Sequence, residues 1–175
     1  LDHITIDYVK RYSKEFNYFI ESGTLYGDTI DLMKPYFTNI HSIEINTRLF
    51  LDALKKYKTD VNIFIWNGDS PDIIPQILKL VKTSAVFWLD GHASGPLPGG
   101  RYGGCPLVHE LLAIKEHNIK THTIFIDDIR LFGCAEWDYV SKQSVLDVLF
   151  EINPNYTIEY LDGEIANDVL VAYIK

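Results

Sequence analysis

Cysteine is scarce in this chain, and positive charge is outnumbered. Only Cys105 and Cys134 occur in 175 residues, too few for a disulfide framework. No apolar stretch approaches the roughly 18 residues that a membrane-spanning helix needs, and no repeat or low-complexity tract interrupts the sequence. Lys and Arg number 16 against 24 Asp and Glu, a net charge of -8. Affinity for a phosphate backbone rests largely on Lys and Arg, so this balance argues against nucleic acid as a partner and favours a small molecule or saccharide. The chain begins at Leu1 without a signal-like segment, which points to a trimmed start or a fragment. The expectation is a soluble, cytoplasmic protein with no membrane span; oligomeric state is not legible. At 47% hydrophobic, residues 1–175 can bury their own core and are expected to form one domain.

The chain is organised around Tyr18-Phe19-Ile20-Glu21-Ser22-Gly23-Thr24-Leu25-Tyr26-Gly27-Asp28-Thr29. An apolar run ends in an acid, two glycines follow four apart, and helix-opening residues come next. This reads as strand, tight loop and helix. Glycines at such a junction let the backbone come close to a ligand, and the helix start behind them offers free N–H groups.

The same alternation continues downstream. Ile4, Tyr8, Val9 and Tyr12 predict a short amphipathic helix within residues 1–15 that covers a sheet or cofactor edge. Helices are predicted over 28–34, 46–58, 71–82, 106–118 and 141–152. Strands are predicted over 39–45, 61–66, 84–89 and 121–126, followed by 156–161 and 168–174. The last two are too closely connected for a helical crossover, so they should be antiparallel. Residues 91–104 hold six of the 11 glycines with Pro96 and Pro98, which no regular element tolerates. A loop of that length inside a compact domain is commonly a lid or a disordered segment, and the lid reading has it ordering over a bound acceptor. The fold class is therefore α/β: a three-layer sandwich on a Rossmann-like, mostly parallel seven-stranded sheet with a C-terminal antiparallel hairpin.

Ligands in such sheets bind beyond the carboxyl ends of the strands. There stand Glu21, Glu44, Asp69, Asp90, and Asp127 with Asp128, an acidic rim around the Gly23–Gly27 loop. Glu-x-Gly-x-x-x-Gly after the first strand, an acid ending the second, Gly68-Asp69-Ser70 after the third and Asp90 ending the fourth resemble the class I S-adenosylmethionine-dependent methyltransferases. The resemblance spans nearly the whole chain. It implies that Gly23 and Gly27 approach the methionine part of S-adenosylmethionine, that Glu44 accepts hydrogen bonds from both ribose hydroxyls, and that Asp69 contacts the adenine amino group. Glu21, Thr24, Tyr26, Thr29, Gly68, Ser70 and Asp90 complete the implied cofactor site. The physical chemistry agrees, because a sulfonium, an ammonium and two ribose donors suit carboxylate acceptors. A dinucleotide pyrophosphate would be repelled.

A finer resemblance lies in Phe87-Trp88-Leu89-Asp90-Gly91-His92 and Ile124-Phe125-Ile126-Asp127-Asp128, which look like the metal-binding motifs of macrocin-type sugar O-methyltransferases. It implies Asp90, Asp127 and Asp128 as ligands of a magnesium or manganese ion, and a sugar or glycoconjugate hydroxyl as acceptor. His92 stands where some relatives carry a second Asp, so it is a ligand, a general base or neither; Asp90 and His92 are the catalytic candidates. Three carboxylates within ~4 Å repel by roughly 4 kcal/mol per pair at an effective dielectric of 20. A cation, a retained proton, or an Asp128 that turns away are the ways to relieve this. Arg101 and Arg130 are candidates for an acidic group of the substrate or for ordinary ion pairs, Trp137 for packing or for stacking on a sugar face, and Glu110 for structure. A metal-dependent hydrolase or hydroxylase, and a non-catalytic cofactor-binding domain, remain as alternative functions.

Overall fold

A computed structural model describes residues 4–14, 17–92 and 100–175. After helix α1 (Ile6–Tyr12), strands and helices alternate as β1 (Tyr18–Ser22), α2 (Asp28–Met33), β2 (Asn39–Glu44), α3 (Thr47–Lys56), β3 (Ile63–Asn67), α4 (Ser70–Leu78), β4 (Val86–Leu89), α5 (Leu107–Lys115) and β5 (Thr123–Ile126). Two 3-10 turns, Ile129–Leu131 and Ala135–Trp137, precede α6 (Lys142–Ile152), β6 (Thr157–Leu161) and β7 (Val169–Tyr173). The seven strands lie in one sheet in the order β3-β2-β1-β4-β5-β7-β6. All pairs are parallel except β5 with β7 and β6 with β7. The expected architecture is the observed one.

Where the elements differ from the sequence reading, they are mostly a few residues shorter, for local reasons. Asn46 caps α3 instead of starting it, its side chain accepting the N–H groups of Arg48 and Leu49. Ser141 does the same for α6 through Ser144 N–H. Each satisfies N–H groups that a helix start leaves without partners.

Two apolar cores lie on opposite faces of the sheet. One packs α4, α5 and α6 on Ile20, Phe87, Ile124 and Leu170. The other holds Val9, Tyr12, Ile30, Met33 and Ala53 from α1, α2 and α3, with Tyr57 just after α3, against Phe19, Ile40, Trp88 and Phe125. Successive strand residues point to opposite faces, so strands covered on both sides read as unbroken apolar runs. β4 and β5 are buried at every position. α1 is thus a cover for the sheet face near β5 and β7, with the Tyr12 ring edge-on to Phe125 and Tyr173.

The topology also places a crevice. β1 sits between β2 and β4, so the chain leaves β1 towards one edge of the sheet and later returns to build the other half. Loops that diverge at such a switch point leave a gap at the strands' carboxyl ends.

Candidate active site

The cleft at the switch point is lined by Gly23 and Leu25 after β1, Ile43 to Asn46 at the end of β2, Gly68 to Ser70 after β3, and Asp90 to His92 after β4. Leu49, Gly100, Gly103 and Pro106 close it. The space between these residues, counted out to the open mouth, is about 950 Å³.

Gly23 is required where it stands. Its φ is +89° and a Cβ there would lie 2.5 Å from the Asp90 carbonyl oxygen, so only glycine lets the loop after β1 pack against the end of β4. The N–H groups of Gly23 and Thr24 both donate to the Ile43 carbonyl, at 2.9 and 3.2 Å, tying that loop to β2. Glu44 is 6% exposed; its Oε2 accepts the Leu25 N–H at 2.9 Å and its Oε1 the Asn46 N–H at 2.8 Å. A carboxylate has about four lone-pair sites, so each oxygen retains capacity for one further donor, and both are fixed by backbone.

Five of the expected cofactor residues do not line the cleft. Glu21 lies within β1, is buried, and accepts from Ser42 Oγ at 2.6 Å; that hydroxyl lies 2.5 Å from Thr24 Oγ1. The acid belongs to the interior of the sheet and not to the rim. Gly27 faces Tyr57, whose hydroxyl donates to the Gly27 carbonyl at 2.7 Å. Thr29 is buried within α2, and Tyr26 is exposed outside the cleft. These residues shape the loop from behind.

Asp69 precedes α4 without capping it; its Oδ2 accepts the Arg101 N–H at 2.8 Å. Around that bond residues 100–104 form a strap. The Arg101 guanidinium and the Tyr102 hydroxyl both reach Asp72 Oδ1, at 3.0 and 2.8 Å, and the Gly104 N–H donates to Asp138 Oδ2 at 2.6 Å. Residues 93–99, the middle of the expected lid, lie outside the described residues. The described end of that loop stands over Asp69 and Ile45, the side expected for adenine.

At the other end of the cleft, His92 bridges two acids, with Nδ1 3.3 Å from Asp90 Oδ1 and Nε2 2.9 Å from Asp128 Oδ2. Asp128 is also held by Arg130, which pairs in addition with Asp168 and Glu164. Burial raises the Asp128 carboxyl, but His92 and Arg130 outweigh it and hold the group below the usual carboxylate range. Part of the repulsion expected among the acids is therefore relieved by the Arg130 guanidinium.

The acids form two groups that share Asp128. Asp90, His92 and Asp128 each offer a ligand atom within 4.8 Å of the others, as do Asp127, Asp128 and Asp168. The expected trio of Asp90, Asp127 and Asp128 is thus divided. Asp127 is buried and its Oδ1 accepts the Asp128 N–H at 2.9 Å, while the second group already has Arg130 between Asp128 and Asp168. The first group, half-buried beside the cleft, is the one whose two carboxylates and imidazole fit a divalent cation. Trp137 is 2% exposed and packs against His92 and Phe132, so its ring is not available to a sugar face. Cys105 is buried and its thiol pushed up to about 12 by burial, far from an activated nucleophile.

No family model and no curated protein sequence matches the chain. Solved structures do share its fold. A protein assigned as an rRNA methylase from Clostridium thermocellum aligns with TM-score 0.63 and 13% identity over 97% of this chain and 94% of that one. The S-adenosylhomocysteine-bound methyltransferase PaMTH1 from Podospora anserina aligns with TM-score 0.59 and 11% identity, covering 91% and 72%. Fibrillarin from Aeropyrum pernix, with S-adenosylmethionine bound, gives 0.59 and 16%, covering 92% and 67%. The chain has the Rossmann-like fold of the class I methyltransferases.

Proposed function

We propose that the chain is an S-adenosylmethionine-dependent O-methyltransferase whose acceptor is a sugar or glycoconjugate hydroxyl and whose acceptor end holds a divalent cation. The observation that carries the cofactor reading is Glu44. It is a buried carboxylate fixed by two backbone N–H groups at the cleft wall, with one further acceptor position on each oxygen, which suits a vicinal pair of ribose hydroxyls. Gly23 and Asp90 on one side and Gly68 to Ser70 on the other leave room for the methionine and adenine parts. The solved structures of this fold with S-adenosylmethionine or S-adenosylhomocysteine bound support the same reading.

In the proposed reaction the acceptor oxygen attacks the methyl carbon, the carbon–sulfur bond breaks, and neutral S-adenosylhomocysteine leaves while the hydroxyl proton passes to a base. In the proposal that role falls to His92. Nε2 is closely engaged by Asp128, whereas Nδ1, at 3.3 Å from Asp90, is the atom that can exchange its contact for an acceptor hydroxyl. Asp90 and Asp128 would orient the ring and hold the cation beside it with their remaining oxygen positions; Asp127 supports Asp128 by accepting its N–H. A bound divalent cation would supply Lewis acidity that lowers the hydroxyl's pKa. Sugar specificity rests on the likeness of residues 87–92 and 124–128 to the macrocin-type motifs. The net charge of -8 favours such an acceptor over RNA, although two proteins of this fold are named for rRNA methylation.

Calorimetry with S-adenosylhomocysteine, followed by methyl transfer to saccharides with and without chelator, tests the reading. Binding of the cofactor product and chelator-sensitive transfer are expected. Metal binding with no affinity for S-adenosylhomocysteine would replace the proposal with a hydrolase or hydroxylase, and full activity in chelator would remove the cation. His92→Ala should abolish turnover while sparing cofactor affinity.

A further inference from the structure

Beneath the cleft lies an acid that the proposed chemistry does not use. Glu110, from the first turn of α5, is 1% exposed. Its Oε1 accepts the Ser70 hydroxyl at 2.5 Å, and Ser70 is the first residue of α4 and part of the cleft lining. The same oxygen lies against Gly91: a Cβ on that glycine would stand 3.2 Å from Glu110 Oε1 and 2.9 Å from Ser22 Oγ. One carboxyl therefore bonds the turn after β3 and stands beside the turn after β4, with Gly91 and His92 lining the same small cavity, near the end of β1. Burial raises its pKa, and the Ser70 and Ser22 hydroxyls offset this only in part. A buried carboxyl is costly unless it is well hydrogen-bonded, and an apolar residue in its place would face Leu89, Cys105, Leu107 and Trp137, which line the same small cavity, without that cost.

We infer that Glu110 is a positioning residue for cofactor binding, locking the Gly68–Ser70 turn to the Gly91–His92 turn so that the adenine and methyl ends of the cleft keep a fixed spacing. The inference rests on the cofactor reading above. Glu110 lies beneath the lining and does not itself form part of it, so its influence runs through Ser70 and Gly91. α5 follows directly on the strap, so the same residue also anchors the segment that closes the cleft.

Affinity for S-adenosylhomocysteine, measured by calorimetry on the whole chain, tests it. Glu110→Leu, which keeps bulk and removes the hydrogen bond, should weaken binding about tenfold at an unchanged melting temperature or a higher one. Glu110→Gln, which still accepts from Ser70, should stay within about threefold of the unaltered chain. Ser70→Ala should weaken binding several-fold, and combining it with Glu110→Leu should add little, because both delete the same bond. Unaltered affinity in Glu110→Leu, or losses that add in full, would overturn the inference while leaving the cofactor reading intact. If Glu110→Leu does not fold, Ser70→Ala decides: unchanged affinity there overturns it. Absence of binding by the unaltered chain removes the cofactor reading, and this inference with it.

Discussion

At the scale of single residues, the cleft works through acceptors that the backbone has already oriented. Glu44 receives one N–H group from its own turn, Asn46, and one from the loop after β1, Leu25, so its carboxylate needs no reorganisation when a diol arrives. Glu44→Ala should weaken S-adenosylhomocysteine binding by about 1–3 kcal/mol, the usual range for hydrogen bonds to a charged acceptor, and isothermal calorimetry reads this directly. Unchanged affinity would exclude the ribose role. Glu21, only one strand away, shows why residue type alone is a poor guide. It lies within β1 rather than beyond it, so its carboxylate meets Ser42 on β2 and stays inside the sheet.

At the scale of elements, the strap of residues 100–104 is the feature with most consequence. A Cβ on Gly100 would lie 2.1 Å from Asp69 Oδ2 and 2.6 Å from Ile45 Cδ1. Gly100→Ala must therefore push the strap or Asp69 aside, and cofactor affinity should fall about tenfold as the adenine side is distorted. Arg101→Ala should have a smaller effect, under about twofold. Its ion pair with Asp72 is largely exposed and contributes little, while the backbone N–H that binds Asp69 survives the change. Equal losses in the two variants would show that the guanidinium, and not the backbone, holds the strap. The loop after β4 was expected to cover the acceptor. In that loop's described end, Asp69 and Asp72 hold Arg101 on the adenine side, and Asp138, next to the Trp137 that packs on His92, holds Gly104.

At the scale of the whole molecule, stability should fall on mild acidification. His41 and His122 are buried in the folded protein, and burial lowers their pKa values to about 4 and about 3. Both are satisfied as neutral rings: His41 Nδ1 accepts from the Trp66 indole at 3.1 Å, and His122 Nδ1 from the Ala85 N–H at 3.0 Å. Unfolded, each protonates near its ordinary pKa of about 6.5, so the unfolded chain binds more protons below that pH. Stability is present in full above that value and is lost as pH falls towards the folded values, at up to about 1.4 kcal/mol per pH unit for each histidine. Denaturant titrations at pH 7, 6 and 5 should show the decline, and His122→Gln should flatten it while lowering stability at pH 7. A slope unaltered by that substitution would place the acid sensitivity elsewhere.

The sequence by itself determined the elements, their order, the antiparallel hairpin, and the standing of Glu44, Asp69 and Asp90 at successive strand ends. These follow from apolar periodicity and turn residues, which are local signals. Only the tertiary structure decided which neighbours the side chains meet. Arg130 was legible as a lone arginine, yet it joins Asp168, 38 residues away, to Asp128. The carboxylates expected as one metal trio fall into two groups because Asp127 ends buried and bonded to its neighbour's N–H. Glu110 reaches Ser70, 40 residues earlier, only because α4 and α5 pack side by side on the same face of the sheet. Such pairings depend on strand order and helix packing across the whole chain, and no local window of residues encodes them.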